Sequence, residues 1–367
     1  MSVRMIAARR TAVVPRGGAF AKLSVEDLSV PVISALLADA RLLPNDVGEV
    51  ICANALGAGG NPARRIALAA GLPERVAGLS IDRQCVGGLD AILLARALVE
   101  AGAAQIVVAG GVESYSRRPI RLATDPKGGP SMPYDQPPFT PWPHRDPDVT
   151  KAAAALAARL GITRNDQDHL AVHSHARAVA AQDRMRAEIV TLLGQDRDAF
   201  ARTLNLALAQ RAAVLAGTVT AANTAVAADA AGFVLITTAA IAQARGLRLV
   251  SGVTLGALPE EPALGAIPAM EAALVKAGLG PYDLAVVELM EAYAVQAIAC
   301  AEALGLSRET LNLGGGALAR GHPIGASGAI LAVRLFHELT AGPGPAFGMA
   351  AISAAGGLGS AVVFARD

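Results

Sequence analysis

The stretch Leu42-Leu43-Pro44-Asn45-Asp46 recurs in the second half of the chain as Leu279-Gly280-Pro281-Tyr282-Asp283. The offset is 281 − 44 = 237 residues, and the two copies align without a gap. Each copy reads as a helix, a Leu-x-Pro-x-Asp turn and a strand, so the chain is predicted to contain two similar halves. Further positions are identical at this offset, among them Pro31 with Pro268, Ala35 with Ala272, Ala40 with Ala277, and Val50 with Val287.

A second match extends the repeat toward two reactive side chains. Ala91-Ile92-Leu93 matches Ala329-Ile330-Leu331 at an offset of 238, since 329 − 91 = 238. Cys85 precedes the first of these helical runs and His322 precedes the second, at nearly equivalent places. If the halves pack as a pseudo-symmetric pair, the two loops converge and form the cysteine–histidine pairing that activates a nucleophile.

Cys85 is predicted to lie at the N-terminus of a helix, because Gly87-Gly88 follows it and an apolar run at helical spacing comes next. Unpaired N–H groups and the helix dipole at such a position stabilise a thiolate. The alternative is a small buried residue at a helix start. The histidine in the repeated loop favours the catalytic interpretation.

Composition limits the class of protein. The 367 residues have a net charge of +1 without long runs of one sign, which indicates neither nucleic acid nor an anionic membrane as partner. The apolar stretch 212–244 is rich in Ala and Thr and contains Asp229, so it is interpreted as a buried strand and its approach rather than a membrane span. Three cysteines without disulfide or metal spacing suggest a reducing, cytoplasmic setting.

Strand and helix alternate through both halves, which predicts an α/β protein with a buried parallel sheet. Expected elements include a helix from Ser29, taken as its N-cap, to Ala40, and a strand over residues 217–220. Proline clusters between residues 119 and 147, so this part is interpreted as an inserted excursion. The predicted units are an N-terminal half, an inserted loop domain and a C-terminal half, with the boundaries 1–116 plus 213–245, 117–212 and 246–367.

Several stretches together resemble the thiolases, which make or cleave 3-ketoacyl-coenzyme A. The resemblance implies a five-layered α/β/α/β/α fold of two similar halves with a loop domain that covers the coenzyme A site. It also implies a homodimer or homotetramer that takes acyl-CoA as substrate and needs no metal or other cofactor. The matching stretches are Asn61-Pro62-Ala63-Arg64, the Cys85 loop, Val108 to Ser114, Gly217 to Asn223, Glu291-Ala292-Tyr293-Ala294, and Gly314 to Gly328.

Within the resemblance, the cysteine that matches Cys85 takes the acyl group as a thioester, and the histidine that matches His322 deprotonates it. Glu291 is predicted either to orient the site or to be a satisfied buried carboxylate, and the first role is favoured. Acyl transfer between thioesters is nearly balanced in free energy, so a thiolate can both accept and release the acyl group. Substrate-binding positions carried over from the family are Asn223, Gly321, Gly356 and Met290.

The sequence departs from the family pattern at three places. Met290 stands where the family has an asparagine that serves the oxyanion site, and methionine donates no hydrogen bond. Ser353 replaces a second cysteine that acts as acid and base on the α-carbon, so Ser353 is only a weak candidate for that role or a small filler. Ala225 replaces a serine that contacts pantetheine. Loss of an oxyanion donor costs about 10²–10³ in rate and loss of a proton-transfer group about 10²–10⁴.

Other interpretations stay open at this point. The chain could be a degenerate protein that binds coenzyme A or a partner without turnover, or a single-cysteine hydrolase or acyltransferase to another acceptor. His169 and His173 have metal-binding spacing on one predicted helix with His175, but without a third ligand they are interpreted as a solvated helix face. Cys52 and Cys300 are predicted to be packing residues.

Overall fold

The repeated turn forms the same local structure in both halves of a computed structural model that describes residues 2–57 and 59–367. Pro44–Asp46 and Pro281–Asp283 are both 3₁₀ turns. Asp46 Oδ2 accepts a hydrogen bond of 2.7 Å from Leu43 N, and Asp283 Oδ2 accepts one of 2.7 Å from Gly280 N. The proline sets the first backbone angle of the turn and the aspartate closes it, which explains why these two residues recur.

Within the described residues, the first half contributes five strands to the main sheet and contains three α-helices. The N-cap of its first helix is Ser24, whose hydroxyl accepts from Asp27 N, so the prediction of Ser29 as N-cap is wrong. Its elements are β1 (Val3–Thr11), β2 (Val14–Pro15), α1 (Val25–Ala40), β3 (Glu49–Ala53), α2 (Pro62–Ala69), β4 (Leu79–Ile81), α3 (Gly87–Glu100) and β5 (Ile106–Ser114).

The middle of the chain combines helices, strands and long irregular segments, and the predicted strand at residues 217–220 forms only part of a small hairpin outside the main sheet. Alternation of strand and helix therefore resumes later than predicted. The elements are β6 (Arg121–Ala123), β7 (Met132–Tyr134), α4 (Val149–Leu160), α5 (Arg164–Ala180), α6 (Gln182–Met185), β8 (Ile189–Val190), α7 (Leu206–Gln210), β9 (Val214–Ala216), β10 (Val219–Thr220), β11 (Ala228–Thr238) and α8 (Ala239–Ala242).

The second half repeats the first, with one helix before its central strand and a long helix after it. Both α1 and the equivalent helix end at the aligned residues Ala40 and Ala277. Its elements are β12 (Leu247–Gly256), α9 (Ala266–Ala277), β13 (Leu284–Leu289), α10 (Ala294–Leu304), α11 (Ala317–Arg320), α12 (Ile324–Ala341), β14 (Ala346–Ala354) and β15 (Leu358–Arg366).

The sheet is mixed, which corrects the prediction of a parallel sheet. In the described residues its main path runs β13-β14-β15-β12-β1-β11-β5-β3-β4. Pairs joined by a helical crossover are parallel, such as β3 with β5 and β13 with β14. Strand β11 runs antiparallel to β5 and β1 because it returns from the inserted segment. Strand β8, although part of the predicted insertion, joins the sheet beside β1.

Helices form three layers around the two halves of the sheet, as the family resemblance implies. Helices α3 and α12 pack on each other between the halves, and α12 contacts strands of both. Helix α1 covers the outer face of the first half and α9 that of the second. Ala, Val, Leu and Ile make up most of the buried clusters, and only 3% of the residues are aromatic, so small side chains allow close packing. No helix in the described ranges is long and apolar enough to cross a membrane.

Candidate active site

The N-termini of α3 and α12 meet where the two halves face each other. A β-carbon on Gly88 would collide with Ala329 N, and one on Gly328 would lie 2.6 Å from Leu89 N. Glycine at both positions therefore lets the two backbones approach more closely than any other residue would. This contact brings together the loops that precede the helices, which carry Cys85 and His322.

Cys85 and His322 are in hydrogen-bond contact. His322 Nε2 lies 3.2 Å from Cys85 Sγ, and His322 Nδ1 lies 2.6 Å from Ser327 Oγ. Ser327 Oγ donates to Pro323 O at 3.0 Å, so it accepts from the imidazole and places the ring proton on Nδ1. The lone pair on Nε2 then faces the thiol. Sequence reasoning missed Ser327, although a hydroxyl in the first turns of the helix after a histidine is a usable signal.

Burial keeps both members of the pair neutral. It raises the pKa of Cys85 to about 12, with smaller contributions in the same direction from Glu113 and Asp82, and it lowers the pKa of His322 to about 4. Burial therefore opposes the stabilisation of a thiolate that is predicted for the N-terminus of α3. The arrangement is a thiol that donates to a free imidazole base.

A cavity of about 530 Å³ opens onto this pair. Its walls come from all parts of the chain, with Gln84 from the first half, Phe139 and Val149 from the inserted segment, and Tyr293 from the second half. Tyr293 Oη lies 2.8 Å from Thr150 Oγ1, which ties the inserted segment to the wall of the cavity. The volume is in the usual range for a small-molecule site.

Gln84, directly before the cysteine, has a left-handed backbone with φ of 51°. The backbone N–H of Gln84 donates to Asp82 Oδ1 at 2.9 Å, and the 3₁₀ turn Gln84–Val86 leads into α3. A residue other than glycine is strained in the left-handed region of backbone angles. Such strain is common where a nucleophile is presented on a sharp turn. The sequence offered no signal for this conformation.

Glu113 links the two halves beside the pair. Its carboxylate accepts from Asn54 Nδ2 at 2.7 Å, from Ala55 N at 3.1 Å and from Gly325 N at 3.0 Å. Gly325 lies in the first turn of α12, close to His322. Burial raises the pKa of Glu113 to about 7. Sequence reasoning quoted this residue only as part of a family motif.

Ser353 lines the same cavity, but its hydroxyl already has two partners. Ser353 Oγ donates to Ala263 O at 3.0 Å and accepts from Ala266 N at 2.8 Å. These bonds join β14 to the start of α9. The geometry therefore favours the small structural role over the acid–base role.

Met290 and Glu291 are both buried away from the cavity wall. Met290 is 2% exposed and belongs to the core between the halves. Glu291 accepts from Ser174 Oγ at 2.7 Å and from Asn312 Nδ2 at 2.6 Å, and burial raises its pKa. Glu291 thus connects the inserted segment to the loop that leads to His322. It does not line the Cys85 cavity, and its supporting role stays a prediction.

Asn223 also serves the packing of the chain. Its Nδ2 donates to Asp168 Oδ1 at 3.0 Å, its Oδ1 accepts from Thr220 N at 2.7 Å, and its side chain is fully buried. The described cavity wall does not include it, so the geometry gives no support to substrate contact. The next residues, Thr224 and Ala225, do line the cavity.

Two glycines predicted to bind substrate have left-handed backbones near the site. Gly321 has a φ of 112° and hydrogen-bonds through its N–H to Ala317 O at 2.7 Å, directly before His322. Gly356 has a φ of 76° and lies against Phe139 of the inserted segment. Both allow the backbone to turn beside the cavity, and neither is among its lining residues.

The remaining candidates are not part of this site. His169 and His173 are exposed and His175 is buried beside Phe200. In residues 2–57 and 59–367, no group of three or more His, Cys, Asp or Glu side chains could hold a metal ion. Cys52 and Cys300 are buried and free, as predicted for packing residues.

A half-buried cysteine–histidine pair at the meeting point of two α/β halves, with a cavity above it, is the arrangement of an enzyme with a covalent cysteine nucleophile, as acyl-transferring proteins have. Comparison with known proteins agrees. The model of the thiolase N-terminal domain matches residues 3–240, and that of the thiolase C-terminal domain matches residues 245–366. The chain belongs to the thiolase family and is an acyltransferase.

Individual relatives extend over the whole chain. An acetyl-CoA acetyltransferase from Chromobacterium violaceum is 37% identical, with 100% of both chains covered. The crystal structure of the Bacillus anthracis acetyl-CoA acetyltransferase superimposes with a TM-score of 0.90 at 30% identity, covering 99% of this chain and 98% of that one. Human mitochondrial 3-ketoacyl-CoA thiolase in complex with CoA gives a TM-score of 0.91 at 29% identity, covering 100% and 98%.

Proposed function

We propose that this protein transfers acyl groups from coenzyme A thioesters through an acyl-Cys85 intermediate, with His322 as the base. One observation carries the proposal: Cys85 Sγ and His322 Nε2 lie 3.2 Å apart on the floor of a cavity of about 530 Å³. The CoA complex of a structural relative supports the choice of substrate. Coenzyme A is then a substrate, and the reaction needs no metal or other cofactor.

The first half-reaction follows from the neutral pair. Sγ attacks the thioester carbonyl while Nε2 takes the thiol proton, so no free thiolate has to form in a buried site. The acyl–sulfur bond to coenzyme A breaks, and the leaving thiolate takes the proton back from the imidazolium. Ser327 holds the ring throughout, because its hydroxyl accepts from Nδ1. Cys85 ends as a thioester and His322 as a neutral imidazole.

The second half-reaction of a thiolase needs a further acid–base group for the α-carbon. Ser353 is the weak candidate for it, and its hydroxyl is engaged by Ala263 O and Ala266 N. Met290 cannot donate a hydrogen bond. We therefore infer that acyl transfer from Cys85 to another acceptor competes with carbon–carbon bond formation or cleavage. Ordinary thiolase turnover is expected to be slow.

The oligomeric state and the cellular location of the enzyme belong to the same proposal. We infer a homodimer or homotetramer from the family resemblance, with acyl-CoA as its small-molecule partner. A cytoplasmic location is proposed from the three free cysteines. The units 1–116 plus 213–245, 117–212 and 246–367 stay a prediction for the domain boundaries.

Intact-protein mass spectrometry after incubation with acetyl-CoA and with longer acyl-CoAs tests the function. The expected result is a single acyl adduct on Cys85 that added coenzyme A removes. Cys85→Ala should form none, whereas the control Cys300→Ala, which changes a buried cysteine outside the cavity, should be acylated like the parent. Absence of an adduct with every acyl-CoA would refute the proposal and favour a binding protein without turnover.

A further inference from the structure

We propose that Arg121 binds a carboxylate at the far end of the acyl chain, so that the preferred substrates are acyl-CoAs whose acyl group carries a second acid. The inference rests on the proposed function, since it names the substrate class of the same cavity. Arg121 is the first residue of β6, in the inserted segment, and it lines the cavity that contains Cys85. It is not among the candidates that the sequence pattern indicated.

The guanidinium group of Arg121 has no carboxylate partner within the ranges that the structure describes. It donates from Nη2 to Ala55 O at 3.1 Å, and the ion pairs of the inserted segment involve other arginines, such as Arg118. The residue is half-buried. A guanidinium has five N–H donors and keeps its charge, and a charge held partly out of water is stabilised by an opposite one. Arg121 therefore has donors available for an anion.

The two carboxylates of the cavity wall do not neutralise this charge. Asp135 Oδ1 accepts from Arg118 Nε at 3.1 Å and from Arg118 Nη2 at 2.7 Å. Asp82 Oδ1 accepts from a backbone N–H at 2.9 Å. The hydrogen bond from Arg118, followed by the charges of Arg118, Arg16 and Arg121, lowers the pKa of Asp135. Three guanidinium groups thus surround one carboxylate, which leaves this end of the cavity with an excess of positive charge.

Arg121 is close to the reacting pair through the residue that it contacts. The N–H of Ala55 donates to Glu113 Oε2 at 3.1 Å, and Gly325 N donates to the same oxygen at 3.0 Å, three residues after His322. The phosphates of coenzyme A are separated from the thioester by the whole pantetheine arm, whereas the acyl chain begins at the thioester carbonyl. An anion that reaches Arg121 while the thioester lies at the reacting pair therefore belongs to the acyl chain.

A carboxylate suits this position in charge and in shape. The planar guanidinium can donate two parallel hydrogen bonds to the two oxygens of a carboxylate. Ala55 and Leu56 line the same cavity and offer apolar surface to the methylene groups of the chain. An acyl chain that ends in a methyl group would bring apolar atoms against a charge without compensating it, so the site discriminates against such chains.

The test compares acyl-CoAs that differ only in the terminal group. Succinyl-CoA, glutaryl-CoA and adipoyl-CoA are each paired with the saturated acyl-CoA of equal chain length. The rate of Cys85 acylation is measured by intact mass, and adducts that also form on Cys85→Ala are subtracted. Adipoyl-pantetheine and hexanoyl-pantetheine, which lack the phosphates of coenzyme A, separate the two sources of negative charge.

Three variants accompany the parent protein. Arg121→Met removes the charge from a side chain of similar length, and Arg121→Lys keeps a charge but not the paired donors. The matched control is Arg211→Met, which changes an exposed arginine outside the cavity. Melting temperatures report any loss of folding.

The parent is expected to react about tenfold to hundredfold faster with the carboxylated member of at least one pair, as for a hydrogen bond between charged groups. Arg121→Met should bring this ratio close to one, Arg121→Lys should keep part of it, and Arg211→Met should leave it unchanged.

Two results would overturn the inference while acyl transfer stands. One is a parent protein that shows no preference in any pair. The other is an unchanged ratio in Arg121→Met with slower reaction of every coenzyme A thioester but not of the pantetheine thioesters, which would assign Arg121 to the phosphates. If no acyl-CoA forms an adduct on Cys85 of the parent, the proposed function itself fails, and the inference fails with it.

Discussion

Two parts of one cavity differ in how their reactive groups are held. On the floor of the cavity, Cys85 Sγ lies 3.2 Å from His322 Nε2, and Ser327 Oγ accepts a hydrogen bond from His322 Nδ1. On the wall, Ser353 has its hydroxyl bound on both sides by the backbone. The Cys85–His322 pair is free to react with a substrate, whereas the Ser353 hydroxyl is already occupied by its two backbone partners. Under the proposed function, the loading of an acyl group and its use in carbon–carbon chemistry would therefore depend on separate parts of the fold.

The largest effect is expected from the floor of the cavity. His322→Asn should lower the rate of Cys85 acylation by about 10²–10⁴, because the thiol with its pKa near 12 then lacks a base. Stopped incubations with acetyl-CoA followed by intact mass measure this rate. His169→Asn, which changes an exposed histidine, is the matched control. A fall of less than threefold would mean that the thiol loses its proton by another route.

A substitution on the cavity wall is expected to give a gain of function. Ser353→Cys is expected to raise the coenzyme A-dependent cleavage of acetoacetyl-CoA by about tenfold to hundredfold, because a thiol can exchange a proton at neutral pH and a hydroxyl cannot. Acylation of Cys85 by acetyl-CoA should stay the same. Ser353→Ala, which removes the hydroxyl and adds no thiol, is the control and should not raise cleavage.

The double variant Ser353→Cys with Met290→Asn sharpens this comparison. Met290 is packed in the core, so an asparagine there costs roughly 1–3 kcal/mol of folding free energy if its amide is left unpaired. A melting curve therefore accompanies the cleavage assay. If folded double variant cleaves no faster than the parent protein, the assignment of the two lost groups is incorrect.

A smaller effect on the rate of acylation is expected from Ser327, which contacts His322 but not Cys85. Ser327→Ala removes the acceptor for His322 Nδ1, so both imidazole tautomers become accessible and acylation should slow by about tenfold. Ser327→Thr keeps a hydroxyl and should restore part of the rate. Comparable rates for all three proteins would show that other contacts fix the ring. The measurement is again the time course of the acyl adduct.

The smallest change is expected with pH. A group whose pKa is lowered on folding, as that of His322 is to about 4, stays a neutral base above about pH 5. The rate of acylation should therefore be nearly flat from pH 5 to 9, apart from a modest step near pH 7 where Glu113 ionises. Glu113→Gln should remove that step. A tenfold rise per pH unit across this range would instead indicate that a free thiolate reacts.

The repeat was the most informative part of the sequence. Both Leu-x-Pro-x-Asp turns form as expected, and the helices that follow the loops of Cys85 and His322 cross at glycines. Less could be predicted about strand direction, since β11 returns from the insertion and pairs antiparallel. Ser24 replaces Ser29 as N-cap because the helix begins one turn earlier than the apolar pattern indicated.

By itself, the sequence determined the two-half α/β fold and the pairing of Cys85 with His322. These follow from local patterns that are repeated along the chain, and from residue types whose chemistry is intrinsic. The folded chain was needed to show that burial raises the pKa of Cys85 and lowers that of His322, and that the Ser353 hydroxyl is already hydrogen-bonded to Ala263 O and Ala266 N. Burial and hydrogen-bond satisfaction depend on neighbours that lie far apart in the chain, so no local pattern encodes them.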